Sequence, residues 1–290
     1  MSFQLKSTLE RGLPISLSRW TDTAHWYMPW LKDIITTGKP FFATDPDRLT
    51  LGMWDSSPEQ VHSLYFWTKY PPKLTEALSS WLKDYRVFAA LTITGWEEVE
   101  TRVPPYVEQL DAIKALVDVL GTEKTRWRYS PVPNDFLFNA GRQGRFSELC
   151  REMTALGHTE VDVSLLQPSP HWDKGYAFEN ETGTPVEEAL ARQAVLKLLV
   201  ELASVEGIRV GVCADDLALL QALGYDEAHC FSTSCIDRVR LDRVFGLDTT
   251  LIPENGCTCQ LSIDPCNGPQ FGCPSSCRYC YVPFTKVKST

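Results

Sequence analysis

The chain of 290 residues is short of positive charge: 28 lysines and arginines stand against 37 aspartates and glutamates, a net charge of −9. Broad binding to a phosphate backbone needs clustered basic charge, so nucleic acid is not an expected partner. Long apolar runs are missing as well, and no stretch approaches the roughly 18 apolar residues that span a bilayer. The opening residues, MSFQLKSTLERGLPISLS, contain no apolar core of the kind a signal peptide carries. A cytoplasmic protein without a membrane partner is the expectation. The phosphate-cradling patterns G-x-G-x-x-G and G-x4-G-K-[ST] are absent, as is the G-x-S-x-G nucleophile turn. Dinucleotide, P-loop and α/β-hydrolase readings lose their main support. Internal repeats, low-complexity tracts and an interdomain linker are lacking too, so residues 1–290 read as one domain.

Cysteine, by contrast, is plentiful and unevenly placed. Six of the ten cysteines fall between Cys257 and Cys280, within a cysteine-rich part that runs over 213–282. In a large chain without a leader, such crowding predicts metal thiolates rather than disulfides.

Before that region, strand-like runs alternate with helix-like ones. Strands are expected at 14–20, 64–69, 86–94, 125–130, 160–166 and 208–214, with a further one at 258–264. Amphipathic helices are expected at 24–36, 73–84, 107–120, 146–156 and 186–205, and a hairpin at 41–54 turning at TDPD. This alternation implies an α/β fold with a mostly parallel sheet, and the number of units predicts a TIM-barrel-like (β/α) barrel. Side-chain parity adds chemistry. Ser16 and Ser18, Thr92 and Thr94, Arg126 and Arg128, and Asp162 and Ser164 share a face of their strands, while Leu17, Ile93, Trp127 and Val163 take the other. If the apolar face meets the helices, the interior is polar enough to admit a small molecule; the alternative is that these are solvent-facing strand ends.

The motif that carries most chemistry is CPSSCRYCYV at 273–282, in which Cys273, Cys277 and Cys280 are spaced C-x3-C-x2-C. A cubane cluster has four irons, so three thiolates leave one iron without a protein ligand. The spacing, with Tyr279 just before the third cysteine, resembles the cluster loop of radical S-adenosylmethionine (SAM) enzymes. In those enzymes the loop follows the first barrel strand, whereas here the strand expected at 258–264 and its loop come last. A circularly permuted barrel accommodates this, with 258–264 closing beside 14–20, since chain termini often lie close together.

The sequence is similar to a bacterial domain-of-unknown-function family with a radical-SAM-like cysteine cluster at its C-terminus. The likeness covers nearly the whole chain and is carried by SLSRWTD (16–22), FWTKYP (66–71), LTITGWEEVE (91–100), WRYSP (127–131), SCID (234–237), CTC (257–259) and CPSSCRYCY (273–281). That family usually has Asp where this chain has Ser130. The resemblance implies a permuted radical SAM core holding a [4Fe–4S] cluster and S-adenosylmethionine. Cys213, Cys235, Cys257 and Cys259 also match cysteines of the family. They would hold a second [4Fe–4S] cluster, or Cys213 and Cys235 are ordinary buried residues. Cys150, at the end of an apolar helix, is expected in the core, and Cys230 and Cys266 have no assignment.

SAM presents a carboxylate, an amino group, a ribose and an adenine. Arg19, Lys69 and Arg128 fall at the carboxyl ends of expected strands, where barrel sites are built. Arg19 and Arg128 suit a carboxylate clamp for SAM or an anionic substrate, or else form strand-end salt bridges. Ser18, Thr68, Thr94 and Asp22 are candidate hydrogen-bonding partners, Asp22 alternatively a helix cap. Glu97, Glu98 and Glu100 offer a carboxylate for the amino group or form a solvated run. Tyr279 completes the cofactor-binding set. His171 is an acid–base candidate or a solvated loop residue. Trp26, Trp30 and Trp81 fit helix-face packing, while Trp20, Trp67 and Trp127 lie near strand ends.

The expected function is a radical SAM enzyme that generates a 5′-deoxyadenosyl radical for hydrogen abstraction from a small or peptidic substrate, served by an electron donor such as a flavodoxin or ferredoxin. The alternatives are a non-catalytic iron–sulfur electron-transfer or sensor protein, and a zinc-stabilised barrel enzyme.

Overall fold

A computed structural model describes residues 5–18, 21–44, 51–166, 189–248, 262–265 and 272–280. Arg19, Trp20, His171, Cys257, Cys259, Cys266 and the TDPD turn lie outside the described residues. The strands are β1 (Leu5–Lys6), β2 (Ile15–Ser16), β3 (Phe41–Thr44), β4 (Leu51–Trp54), β5 (Leu64–Thr68), β6 (Val87–Thr92), β7 (Thr125–Val132), β8 (Glu160–Leu165), β9 (Arg209–Val212) and β10 (Cys230–Ser232). The helices are α1 (Thr23–Trp26), α2 (Met28–Thr37), α3 (Pro72–Leu78), α4 (Tyr106–Leu120), α5 (Ala140–Ala155), α6 (Ala189–Val205), α7 (Ala214–Ala222) and α8 (Arg238–Phe245).

Local chemistry explains where elements depart from the expected bounds. The helix expected at 24–36 is two helices, because Pro29 in the first turn of α2 restarts the chain after Tyr27. Helix α3 stops at Leu78, where the hydroxyls of Ser79 and Ser80 both donate to the Glu76 carbonyl. Helix α5 begins six residues before the expected Phe146 because Asn139 caps it, accepting from the Arg142 N–H at 3.1 Å. Its first turns, AGRQGR, are too polar to show an apolar stripe.

Seven strands form one parallel sheet in the order β10-β9-β8-β7-β6-β5-β2. Beyond β2 the chain's far end takes the next position: Ile263 forms a parallel bridge with Ile15, donating to Pro14 O at 2.9 Å while its own carbonyl accepts from Ser16 N at 2.8 Å. The expected neighbour of the N-terminal strand is therefore in place. Strands β3 and β4 pair antiparallel, as the hairpin reading required, and β1 adds to β4 in parallel to complete a separate three-stranded sheet.

The two faces of the large sheet differ as parity predicts. Leu17, Phe66, Leu91, Ile93, Trp127, Val163 and Val210 join the main core with the apolar sides of α1 to α7. The opposite face holds Ser16, Tyr65, Phe88, Ala90, Arg126 and Asp162, and a small cluster there packs Leu241 of α8 and Ile236 against Tyr65, Phe88 and Ala90. Arg126, only 5% exposed, pairs with Asp162 on the neighbouring strand and donates to Ser234 O at 2.9 Å. Gly211 faces the same way because a side chain there would meet the Phe231 ring at 2.6 Å and the Asp162 carboxylate at 2.7 Å. Among the described residues, no helix is long and apolar enough to cross a membrane.

Ile263 is fully buried, so removing its side chain beyond Cβ should leave a cavity between β2 and the C-terminal segment. Ile263→Ala is expected to destabilise the fold by about 2–5 kcal/mol, read as a lowered midpoint in urea denaturation.

Candidate functional site

The thiol loop is two tight turns in succession. Ser276 N–H donates to Cys273 O at 3.2 Å and Cys280 N–H to Cys277 O at 2.9 Å. Between them Ser276 takes a left-handed conformation, φ 48°, which costs a side-chain-bearing residue about 1 kcal/mol. The compact reversal brings Cys277 back toward Cys273, and three anchors hold the loop to the sheet's carboxyl end. Trp26 Nε1 of α1 donates to Ser275 Oγ at 2.8 Å, Arg278 N–H donates to Val99 O at 3.0 Å, and the Tyr279 hydroxyl donates to Glu100 Oε1. Trp26 is thus more than a packing residue of its helix.

Glu100 is the centre of the arrangement. It is 1% exposed, and the same Oε1 accepts from Lys69 Nζ at 2.8 Å, from Thr94 Oγ1 at 2.7 Å and from Tyr279. Its other oxygen, Oε2, is buried without a hydrogen-bond partner. Lys69 follows β5 and Thr94 follows β6, so adjacent strand ends converge on one carboxylate. The Lys69 ammonium also stands 5.7 Å from the Tyr279 ring centroid, and the Trp96 indole meets that ring edge-on at 6.2 Å. Burial alone would lower the pKa of Lys69; the charges at Glu100 and Cys277 outweigh it and raise the value. Burial, then the Glu100 charge, pushes the Cys277 thiol well above its ordinary value, and the Tyr279 phenol rises through burial too.

Asp22 supports the same corner. Its carboxylate caps α1 by accepting from His25 N–H at 3.1 Å, as the helix-cap reading of Asp22 required, and its other oxygen accepts from Lys69 N–H at 2.8 Å. Burial raises its pKa from 3.8 to about 6 despite those hydrogen bonds.

The other candidates separate clearly. Glu97 accepts from Tyr106 N–H at 3.0 Å and Glu98 pairs with Arg142 at 3.0 Å, so neither belongs with Glu100. The solvated-run reading holds for Glu97 and Glu98 and fails for Glu100. Arg128 is on the polar face, registered opposite Thr92 and Asp162, and its charge reaches the buried Tyr65 phenol, as does that of Arg126. The hydroxyl oxygens of Ser16, Ser18 and Tyr65 and the Trp67 indole nitrogen are buried there without partners. Ser130 hydrogen-bonds to Ser164 across β7 and β8. Cys213 and Cys235 are both exposed, just beyond the carboxyl ends of the adjacent strands β9 and β10, which corrects the expectation that either is an ordinary buried residue. Cys150 and Cys230 are buried in the core, and Trp127 is fully buried in it. Sequence reasoning missed the part played by Trp26 and Ser275; their contact joins residues 249 positions apart, and no local pattern encodes it.

Among the described residues, no three His, Cys, Asp or Glu side chains gather around one point as a single metal ion requires. Thiols are the donor type of iron–sulfur clusters, in which each thiolate is received by a different iron. Cys273 and Cys280 both act electrostatically on the Cys277 thiol.

A family model described as a domain of unknown function (DUF1848) matches residues 15–282. No curated protein matches the chain. Among solved structures it is similar to a D-hydantoinase from a Bacillus sp. AR9, at 12% identity and a TM-score of 0.35 over 60% of this chain and 39% of that one. It is also similar to the HMG-CoA lyase from Brucella melitensis, at 11% identity and a TM-score of 0.35 over 82% of this chain and 92% of that one. At TM-scores this low the likenesses carry no argument.

Because the Asp22 pKa is higher in the folded chain than the 3.8 of an ordinary carboxyl, the folded state holds the extra proton between about pH 4 and 6. Stability is therefore expected to be fully present below pH 4 with respect to this group and to fall as pH rises through about 6, by about 3 kcal/mol in all. Asp22→Asn should flatten that part of the stability profile, measured by urea denaturation across the interval.

Proposed function

The chain belongs to the family described as domain of unknown function (DUF1848), and from that premise we propose that it is a radical SAM enzyme on a circularly permuted (β/α) barrel, with Cys273, Cys277 and Cys280 holding a [4Fe–4S] cluster. The observation that carries this reading is the position of the thiol loop. It is pinned at the carboxyl end of a parallel sheet, where α/β folds bind their ligands, and it follows a segment paired with the N-terminal strand. Closure of the sheet into a barrel is supported by its second face. A parallel sheet is normally covered on both sides, and a face carrying Ser16, Arg126, Arg128 and Asp162 suits the interior of a ligand-holding barrel better than a helix-packed layer.

The donor chemistry supports the cofactor. Three thiols on one short loop suit iron–sulfur ligation, and the raised pKa of the half-buried Cys277 thiol keeps it protonated until a metal makes its deprotonation favourable. A cluster held by these three thiols would supply the electron for reductive cleavage of SAM to methionine and a 5′-deoxyadenosyl radical. The surrounding residues hold and orient. Glu100 keeps the loop in register through Tyr279, and its unpartnered Oε2 would accept a hydrogen bond from the amino group of SAM. Arg128 supplies positive charge for a carboxylate of SAM or substrate, and Ser18 a hydroxyl. Arg19 would add a second clamp. Exposed Cys213 and Cys235, on neighbouring strand ends, would provide two ligands of an auxiliary cluster completed by Cys257 and Cys259.

Anaerobic reconstitution followed by dithionite reduction and addition of SAM is expected to yield 5′-deoxyadenosine, detected by mass spectrometry, with about four irons per chain or about eight if the auxiliary cluster forms. Cys277→Ala should abolish the product. Bound zinc with neither iron nor SAM cleavage would overturn the reading.

A further inference from the structure

Resting on the cluster reading above, we propose that the buried Lys69–Glu100 pair sets the reduction potential of the cluster, Lys69 raising it and Glu100 lowering it. The pair is placed for this. Lys69 Nζ is 2.8 Å from Glu100 Oε1 and 5.7 Å from the centroid of the Tyr279 ring, and Tyr279 lies in the chain between the ligands Cys277 and Cys280. Both partners are withdrawn from solvent, with side chains 14% and 1% exposed. Charges so placed are poorly screened.

The sign follows from electrostatics. Reduction adds one electron to the cluster, so a fixed cation nearby favours the reduced form and a fixed anion opposes it; net charge around a cluster is one of the levers that tune its potential. The native pair is close to neutral in sum. Removing either charge unbalances it, in opposite directions. Two features mark the pair as more than a stabilising contact. Glu100 Oε2 has no hydrogen-bond partner, so half the carboxylate is left facing its buried surroundings without compensation. A buried ion pair is also weak as a source of net stability, because desolvation offsets most of its attraction.

The test is a redox titration of the reconstituted protein, with dithionite as reductant and the reduced cluster counted by electron paramagnetic resonance. At a poise where the native cluster is half reduced, Lys69→Met should lower the ratio of reduced to oxidised cluster about tenfold, equivalent to about 59 mV for a one-electron couple. Glu100→Gln, which keeps an acceptor for Thr94 and Tyr279, should raise that ratio about tenfold. The double variant should return to near the native ratio. Clusters loaded at native iron content whose ratios do not move, or move in the same direction for both single variants, would overturn the proposal while leaving the cluster reading intact. A native chain that takes up no iron would sink both together. Should Lys69→Met fail to fold, the near-isosteric Glu100→Gln decides alone.

Discussion

A carboxylate withdrawn from water must be compensated by donors, and Glu100 meets that requirement by drawing in three from separate parts of the chain. Lys69 comes from the end of β5, Thr94 from the end of β6 and Tyr279 from the thiol loop 179 residues further on. The strand ends are tied to each other, and the C-terminal loop is tied to both. Asp22 extends the arrangement by holding the backbone of Lys69 while capping α1, the same helix that reaches Ser275 through Trp26. The position of the cysteines thus depends less on the loop's own two turns than on a polar knot beneath it. The knot's net stability is small, since buried charges lose in desolvation much of what they gain in attraction; what it fixes is geometry.

The large sheet supplies the frame for that knot. Its apolar face is a conventional helix-covered core, in which even Trp127 and Tyr129 are fully buried. Its other face is divided. Toward α8 the aromatic residues Tyr65 and Phe88 are stacked with centroids 5.2 Å apart and covered by Leu241, whereas Arg126 and Asp162 beside them form a buried ion pair. Hydroxyl and indole groups on this face lack partners inside the protein, an arrangement that globular folds rarely keep without a ligand or water to complete it. The site and the sheet therefore make the same demand: polar groups are held ready at the carboxyl end of the strands.

Much of this was legible in the residues. Alternation of strand and helix gave the parallel sheet, and period-two parity separated the polar face from the core, because side chains in a strand point alternately to opposite sides whatever the tertiary setting. The spacing of Cys273, Cys277 and Cys280 is local and needs no fold to be read. Helix α8 shows no broad apolar stripe, because RVRLDRVF carries four charged residues in eight and buries only Arg238 and Leu241. The special status of Glu100 was also hidden: in GWEEVE three carboxylates look alike, and only distant partners set one apart from the others.

The sequence by itself determined six of the seven strands of the large sheet, their two-faced character and the thiol spacing, since each is written in contacts or periodicities a few residues long. Tertiary structure alone decided that Trp26 anchors Ser275, and that Lys69, Thr94 and Tyr279 share one oxygen of Glu100. Those outcomes depend on which strand ends meet in space. They are enforced by burial, which makes an uncompensated charge costly enough to select its partners from anywhere in the chain.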